Sequence, residues 1–235
     1  MLSLGLHAQA NRQPRRPIKL VLCAHMKRAF ILSFVVLLSA CSDPCKEGED
    51  LAEASSFEPA ILKLDACLSD PSNHSSGLFQ TRAWAHFKTG NLAGAVTDQE
   101  QAFEVKPAYR YGEHINYVLY LRSNGEYEKA LKALEPAIEM NPGSMPTNYH
   151  RGWILISLGR FEEAANSLSV GLLDQPDFAF AYAARAIAYD SLGNIEAAQR
   201  DYYSYRALLD QQDQETPDYP PIVELERKYR MEQGT

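Results

Sequence analysis

Gly90-Asn91-Leu92-Ala93-Gly94-Ala95 is the first of four copies of a six-residue motif in this chain. Its counterparts begin at Gly125, Gly159 and Gly193, so successive glycines are 35, 34 and 34 residues apart. Every copy has an aliphatic or aromatic residue two positions after the glycine and an alanine three positions further on. A fixed period of this length indicates stacked supersecondary units, because one unit cannot bury its apolar face alone. The sequence therefore predicts a solenoid, which offers a long surface to a partner.

Small residues and prolines flank each copy of the motif at matching positions. Glycine supplies the backbone freedom for a turn between two helices. Upstream, where the two helices must approach closely, stand Ala83, Gly152 and Ala186. Downstream, the equivalent positions on the second helix are Ala102, Ala137 and Gly171. The units then close with a residue that cannot continue a helix, at Pro107, Pro142 and Pro176.

This pattern resembles the tetratricopeptide repeat, in which a small residue, Gly, an aromatic residue, Ala, a second small residue and Pro recur over 34 residues. Four units match, at 76–110, 111–144, 145–178 and 179–212, and a degenerate earlier unit shows Phe57, Ala60, Cys67 and Pro71. The resemblance implies an all-α fold, a right-handed solenoid of antiparallel helix pairs. Pro136 lies inside one predicted helix and should kink it.

The C-terminal segment, 213–235, is predicted to be a hinge followed by a capping helix. A polar, proline-bearing stretch leads to Pro220-Pro221, and residues 222–229 then show helical spacing of apolar residues. We expect this helix to cover the end of the last unit by packing on Tyr202, Tyr205 and Leu208.

The N-terminal segment carries an export signal. Lys27 and Arg28 precede an apolar run at 29–38, which is too short to span a membrane. The run ends in Leu38-Ser39-Ala40-Cys41, which resembles the lipobox of bacterial lipoproteins, whose cysteine is acylated. The alternative is an ordinary signal peptide that happens to end near a cysteine.

We therefore expect translation to start at Met26, with residues 1–25 outside the real protein, a signal peptide at 26–40 and a lipid on Cys41. By analogy with lipoproteins, Ser42 favours delivery to the outer membrane, facing the periplasm. Residues 41–75 would then form the anchor and the degenerate first helix pair, and 76–212 the solenoid.

Two cysteines remain for the exported domain. In an oxidising compartment an even pair is a disulfide candidate. The repeat register places Cys45 at the start of one helix and Cys67 near the end of its antiparallel mate, which predicts a disulfide between them. The alternative is that both are small, unpaired buried residues.

The charge of the body limits the class of partner. The chain has a formal net charge of −7, and all six charged residues before Cys41 are basic, so residues 41–235 carry −7 − 6 = −13. Such a body repels phosphate backbones and anionic headgroups. We expect a basic or apolar protein partner and no nucleic acid, with membrane contact only through the lipid.

No arrangement of residues typical of a catalytic site is found. The histidines at 74, 86, 114 and 150 fall at different repeat positions, with no metal-ligand spacing. Neither a glycine-rich phosphate loop nor a Gly-x-Ser-x-Gly turn is present. The sequence predicts neither an enzyme nor a cofactor.

The resemblance implies which side chains point from the first helix of each unit into a concave groove. They are Gln80, Trp84, Phe87, Lys88, Ile115, Leu119, Arg122, Tyr149, Trp153, Ile156, Phe180, Ala183, Ile187 and Asp190. An exposed apolar trough of this kind suits an amphipathic helix or an extended apolar segment of another protein. Three alternatives stay open: packing between units, cover by the capping helix, and cover by a second copy in a homodimer.

The sequence thus predicts a membrane-anchored periplasmic scaffold that raises the local concentration of its partners. Family analogies include pilotins, adaptors for cell-wall hydrolases and envelope-assembly accessory proteins. The alternatives are a lipidated immunity protein that neutralises a toxin, a structural homo-oligomer, and a ligand-binding lipoprotein or enzyme with a deep polar cavity.

Overall fold

The computed structural model describes residues 43–107 and 110–231, which form α-helices and no β-strand. Besides a 3₁₀ turn at Pro71–Asn73, the helices are α1 (Pro44–Glu53), α2 (Phe57–Leu68), α3 (Ser76–Lys88), α4 (Leu92–Val105), α5 (Tyr111–Ser123), α6 (Tyr127–Ala133), α7 (Glu135–Met140), α8 (Met145–Ser157), α9 (Phe161–Asp174), α10 (Ala179–Ser191), α11 (Ile195–Gln212) and α12 (Pro220–Met231). None of these helices is long and apolar enough to cross a membrane. The predicted start at Met26, the signal peptide and the lipidated Cys41 lie outside the described residues.

Consecutive helices pack as pairs, and the pairs stack on one another. α3 packs on α4, α8 on α9 and α10 on α11, while α5 pairs with α6 and α7. The first helix of each later unit also contacts the second helix of the unit before it. This arrangement confirms the predicted all-α solenoid of helix pairs.

The turn inside each unit depends on its glycine. The glycines that begin the four copies of the motif have positive φ angles, from 71° at Gly159 to 82° at Gly90. Most residues avoid this region because their Cβ atom clashes with the backbone there. In the first and last full units an asparagine then caps the next helix: Asn91 accepts a hydrogen bond from the Gly94 N–H, and Asn194 from that of Ala197.

The predicted small residues mark where two helices come closest. A Cβ atom on Gly152 of α8 would lie only 2.5 Å from Cγ of Leu168 on α9. The same relation holds in the N-terminal pair, where a Cβ on Gly48 would lie 2.7 Å from Cγ of Leu64. Because both glycines are buried, a larger side chain would force the helices apart.

The second helix of the second full unit is interrupted, as Pro136 predicts. α6 ends at Ala133 and α7 begins at Glu135, with Leu134 as the junction. Proline has no N–H to donate to the carbonyl four residues earlier, and its ring crowds that carbonyl. The interruption is therefore a local consequence of one residue.

The predicted disulfide is present. Cys45 at the start of α1 bonds to Cys67 near the end of α2, with 4.9 Å between their Cα atoms. Cys67 is fully buried beside Leu64 and Ala102 in the core under the first pair. The bond therefore ties α1 to the rest of the solenoid.

Two ion pairs occupy the same position in the first and fourth full units. Arg82 of α3 donates hydrogen bonds of 2.8 and 2.7 Å to the carboxylate of Asp98 on α4. Arg185 of α10 does the same to Asp201 on α11, at 2.7 and 2.9 Å. Both carboxylates are buried, so each pair fixes the contact between the two helices of its unit.

The C-terminal helix packs on the last unit as predicted. Ile222, Leu225 and Tyr229 of α12 are buried in one cluster with Tyr202 and Tyr205 of α11, and Leu208 packs against that cluster. Glu226 of α12 is also buried, and it accepts hydrogen bonds from Arg206 and Arg230. The helix therefore covers an apolar end that would otherwise face solvent.

Candidate functional site

The predicted groove residues fall into three groups along the first helices of the units. Those on α3 remain accessible to solvent, those in the middle belong mainly to the core, and those on α8 and α10 meet the C-terminal segment. Each group has its own geometry.

The α3 group forms an aromatic row beside a cleft. The Trp84 ring stacks on Phe87 at 5.7 Å between centroids, and Phe87 lies 5.3 Å from Tyr120. The Lys88 ammonium is 4.8 Å from the centroid of the Trp84 ring, which is a cation–π distance. Trp84, one of the two tryptophans in the chain, is 37% exposed.

The cleft beside Trp84 has a volume of about 760 Å³ and lies between α1 and α3. Gln80 and Lys88, two of the predicted groove residues, line its α3 side. Its other wall comes from the end of α1, where Glu49 and Glu53 contribute carboxylates. The groove residues predicted from the sequence belong to the four full units and do not include α1.

The middle group serves the core. Ile115 and Leu119 of α5 are partly buried against the cluster that includes Val118 and Leu121. Ile156 of α8 packs against the clusters of the third and fourth units. The packing alternative therefore describes these three side chains.

The α8 and α10 group is covered by the chain itself. Trp153 is only 3% exposed, and the ring of Tyr219 lies 5.1 Å from it. Asp190 accepts hydrogen bonds of 2.5 Å from both Lys228 and Tyr229 of α12. At these positions the trough is occupied by residues 213–231, as the self-covering alternative describes.

A second cavity, of about 410 Å³, remains under this cover. Its walls come from the ends of α5 and α8, from α10 and from the C-terminal segment: Arg122, Ser123, Tyr127, Tyr149, Trp153, Ser157, Phe180, Pro217, Tyr219 and Ile222. We call it the Arg122 cavity. Four of its lining residues, at 122, 149, 153 and 180, are predicted groove residues.

The electrostatics of the Arg122 cavity are unusual. Within the described residues Arg122 makes no side-chain hydrogen bond or ion pair, and burial lowers the pKa of its guanidinium. Three neutral tyrosines, Tyr149, Tyr219 and Tyr127, are titratable groups that act on the pKa of Arg122. Burial also raises the pKa of Tyr149 and of Tyr219.

His150 follows Tyr149 on α8 and is also sensitive to this charge. Burial and, secondarily, the charge of Arg122 lower the pKa of His150 to about 3, so the ring is neutral at physiological pH. Its Nδ1 is buried and forms no hydrogen bond with the described residues. In the sequence this histidine is one of four at different repeat positions, and no local pattern there predicts that its ring is buried.

Comparison with known proteins agrees with the geometry. A family model described as "Tetratricopeptide repeat" matches residues 121–188. Residues 121–188 of the chain are tetratricopeptide repeats. No curated protein matches it.

Solved structures titled MamA share this fold over about seven-tenths of the chain. The structure titled MamA MSR-1 is 22% identical over 72% of this chain and 96% of its own, with a TM-score of 0.62. MamA from Desulfovibrio magneticus RS-1 is 16% identical over 74% of this chain and 99% of its own, with a TM-score of 0.64. At these identities the likeness shows the fold alone.

The tetratricopeptide fold is typical of scaffolds that bind other proteins. Among the described residues no three His, Cys, Asp or Glu side chains form a group that could hold a metal ion. The features that remain for function are the cleft beside Trp84 and the Arg122 cavity.

Proposed function

We propose that this tetratricopeptide repeat protein is an adaptor of the bacterial cell envelope. A lipid on Cys41 would anchor it, on the periplasmic side of the outer membrane, and its accessible groove would bind an amphipathic segment of a partner protein. The observation that carries the proposal is the exposed ring of Trp84, stacked on the half-buried Phe87, beside an open cleft.

The partner's chemistry follows from the two walls of the cleft. Trp84 and Phe87 would take the apolar face of a helix, in which residues at i, i+3, i+4 and i+7 anchor the contact. Glu49 and Glu53 stand on the opposite wall, and the body as a whole is acidic. A helix with one apolar and one basic face fits both walls, because basic side chains would pair with these carboxylates.

The anchor would lie next to the binding site in sequence. Only one residue, Ser42, separates Cys41 from Asp43, whose side chain accepts a hydrogen bond from the Cys45 N–H at the start of α1. The disulfide then holds α1, which forms one wall of the cleft, against α2. A short tether would concentrate the cleft at the membrane surface, where partners of pilotin, hydrolase-adaptor or envelope-assembly type act.

Site-specific photocrosslinking tests the binding site. A benzophenone amino acid replaces Trp84 in the full chain, and a matched variant carries it at Leu173, which is 85% exposed on α9. We expect an adduct with another envelope protein from position 84 and none from position 173.

The other outcomes are equally informative. Equal adducts at both positions, or none at either, would refute the cleft as the binding site. An adduct of twice the mass of the chain would replace the adaptor with the homo-oligomer.

Fractionation tests the anchor separately. The wild type should sediment with outer membranes, and Cys41→Ser should move it to the soluble periplasmic fraction. A soluble wild type would refute the lipid anchor and leave the cleft untouched.

A further inference from the structure

The Arg122 cavity presents hydrogen-bond donors and a positive charge without a carboxylate. The polar side chains among its lining residues are those of Arg122, Tyr127, Tyr149, Tyr219, Ser123 and Ser157, and the Ser157 hydroxyl already donates to the Trp153 carbonyl. The indole of Trp153 also lines the cavity, but its Nε1–H is buried away from the open space. A guanidinium can only donate hydrogen bonds. No aspartate or glutamate is among the lining residues.

Three other arginines that are largely shielded from solvent have acidic partners among the described residues. Arg82 pairs with Asp98, Arg185 with Asp201 and Arg206 with Glu226. Burying a charge without a partner is costly, and proteins satisfy such groups with a counter-charge or hydrogen bonds. Arg122 departs from this pattern, and the space it faces is large enough for a ligand.

The remaining walls define the body of that ligand. Trp153 and Tyr219 meet edge to face at 5.1 Å, and Tyr149 meets Trp153 in the same way at 6.3 Å. Phe180 and Ile222 complete the apolar surface. Aromatic walls of this kind hold a planar or aliphatic group, while the donors hold an anion at one end.

We propose that the Arg122 cavity binds a carboxylate attached to an apolar or aromatic body. The carboxylate pairs with the Arg122 guanidinium in a two-point contact, and the body lies against Trp153 and Tyr219. Two sources share this chemistry: a free small acid, and the terminal or side-chain carboxylate of a peptide. The inference does not depend on the cleft beside Trp84, which lies in another unit.

Fluorescence of Trp153 gives a direct assay. In the full chain with Trp84→Phe, Trp153 is the only tryptophan, so its emission reports on the cavity. The probes are phenylacetate as the small acid, N-acetylphenylalanine as the peptide terminus, and an amidated peptide with an internal glutamate. Phenylacetamide is the neutral control for the first probe.

We expect at least one acid to bind and phenylacetamide to bind about 10-fold or more weakly, since charge-assisted hydrogen bonds carry the contact. Arg122→Gln should weaken the acid about 10-fold or more, while Arg200→Gln, at an exposed position on α11, should not change it. Whichever acid binds most tightly identifies the source.

Three results would overturn the proposal. They are equal binding of acid and amide, unchanged binding in Arg122→Gln, and no response to any acid at millimolar concentration. Arg122→Lys guards against a folding artefact: it keeps the charge but loses the two-point geometry, so it should bind with intermediate affinity.

Discussion

His150 should make the protein sensitive to mild acid. In the folded protein burial and then the Arg122 charge lower the pKa of this ring to about 3, whereas an unfolded histidine titrates near 6.5. Above pH 6.5 the ring is neutral in both states, so its full contribution to stability is present. Below that pH His150 binds a proton in the unfolded state but not in the folded state. The free energy of unfolding therefore falls as the pH drops toward 3.

The size of the effect at pH 5.0 follows from the two pKa values. The pH is then about 1.5 units below the pKa of the ring in the unfolded state, and each unit corresponds to about 1.4 kcal/mol. The free energy of unfolding is therefore about 2 kcal/mol lower at pH 5.0 than at pH 7.5. This is a large fraction of the stability of an ordinary domain. The carboxylates whose pKa is lowered, such as Glu100, lose their contribution only at more acidic pH.

Urea unfolding followed by circular dichroism at pH 7.5 and 5.0 measures this loss. His150→Leu has no titrating ring, so its free energy of unfolding should change by about 2 kcal/mol less than that of the wild type over the same interval. Arg122→Gln should fall between the two, because one of the two causes of the low pKa is removed. Equal pH dependence of wild type and His150→Leu would refute the buried, neutral His150.

Three further predictions concern the disulfide, the helix contacts and the C-terminal cover. Cys45→Ser/Cys67→Ala should lower the free energy of unfolding by about 3 kcal/mol, which is the entropy of closing a loop with a sequence separation of 22. Added reductant should have no further effect on the thermal unfolding of this variant. Gly152→Ala should destabilise the protein by about 1–3 kcal/mol because the new Cβ meets Leu168, whereas Gly112→Ala, with open space around it on α5, should be neutral or stabilising in the same urea titration. In the Trp84→Phe background, Tyr219→Ala should increase acrylamide quenching of Trp153 fluorescence. The control Tyr203→Ala, at a 40% exposed site on α11, should leave the quenching unchanged. Unchanged quenching in Tyr219→Ala would contradict the shielding of Trp153 by the C-terminal segment.

Local chemistry accounts for what could be predicted from the sequence. The glycines that adopt positive φ, the small residues at the close contacts and Pro136 each act on neighbouring backbone or on the adjacent helix. Since these constraints repeat every 34 or 35 residues, they determine the helix pairs and their stacking. The register alone also brought Cys45 and Cys67 together, because antiparallel helices place the start of one beside the end of the other.

The state of the groove could not be predicted in this way. Trp84 and Trp153 have the same character in sequence, yet one is 37% exposed and the other 3%. The difference arises because a proline-bearing segment near Tyr219, far away in sequence, returns over α8. A long-range contact of this kind leaves no periodic signal.

The solenoid and the disulfide could therefore be predicted from the sequence, since each depends on residues within one unit or between adjacent units. Only the tertiary structure decided which part of the inner face is accessible and that Arg122 lacks an acidic partner among the described residues. Those properties depend on which distant segments meet and exclude water, and burial is set by the whole fold rather than by any single stretch of chain.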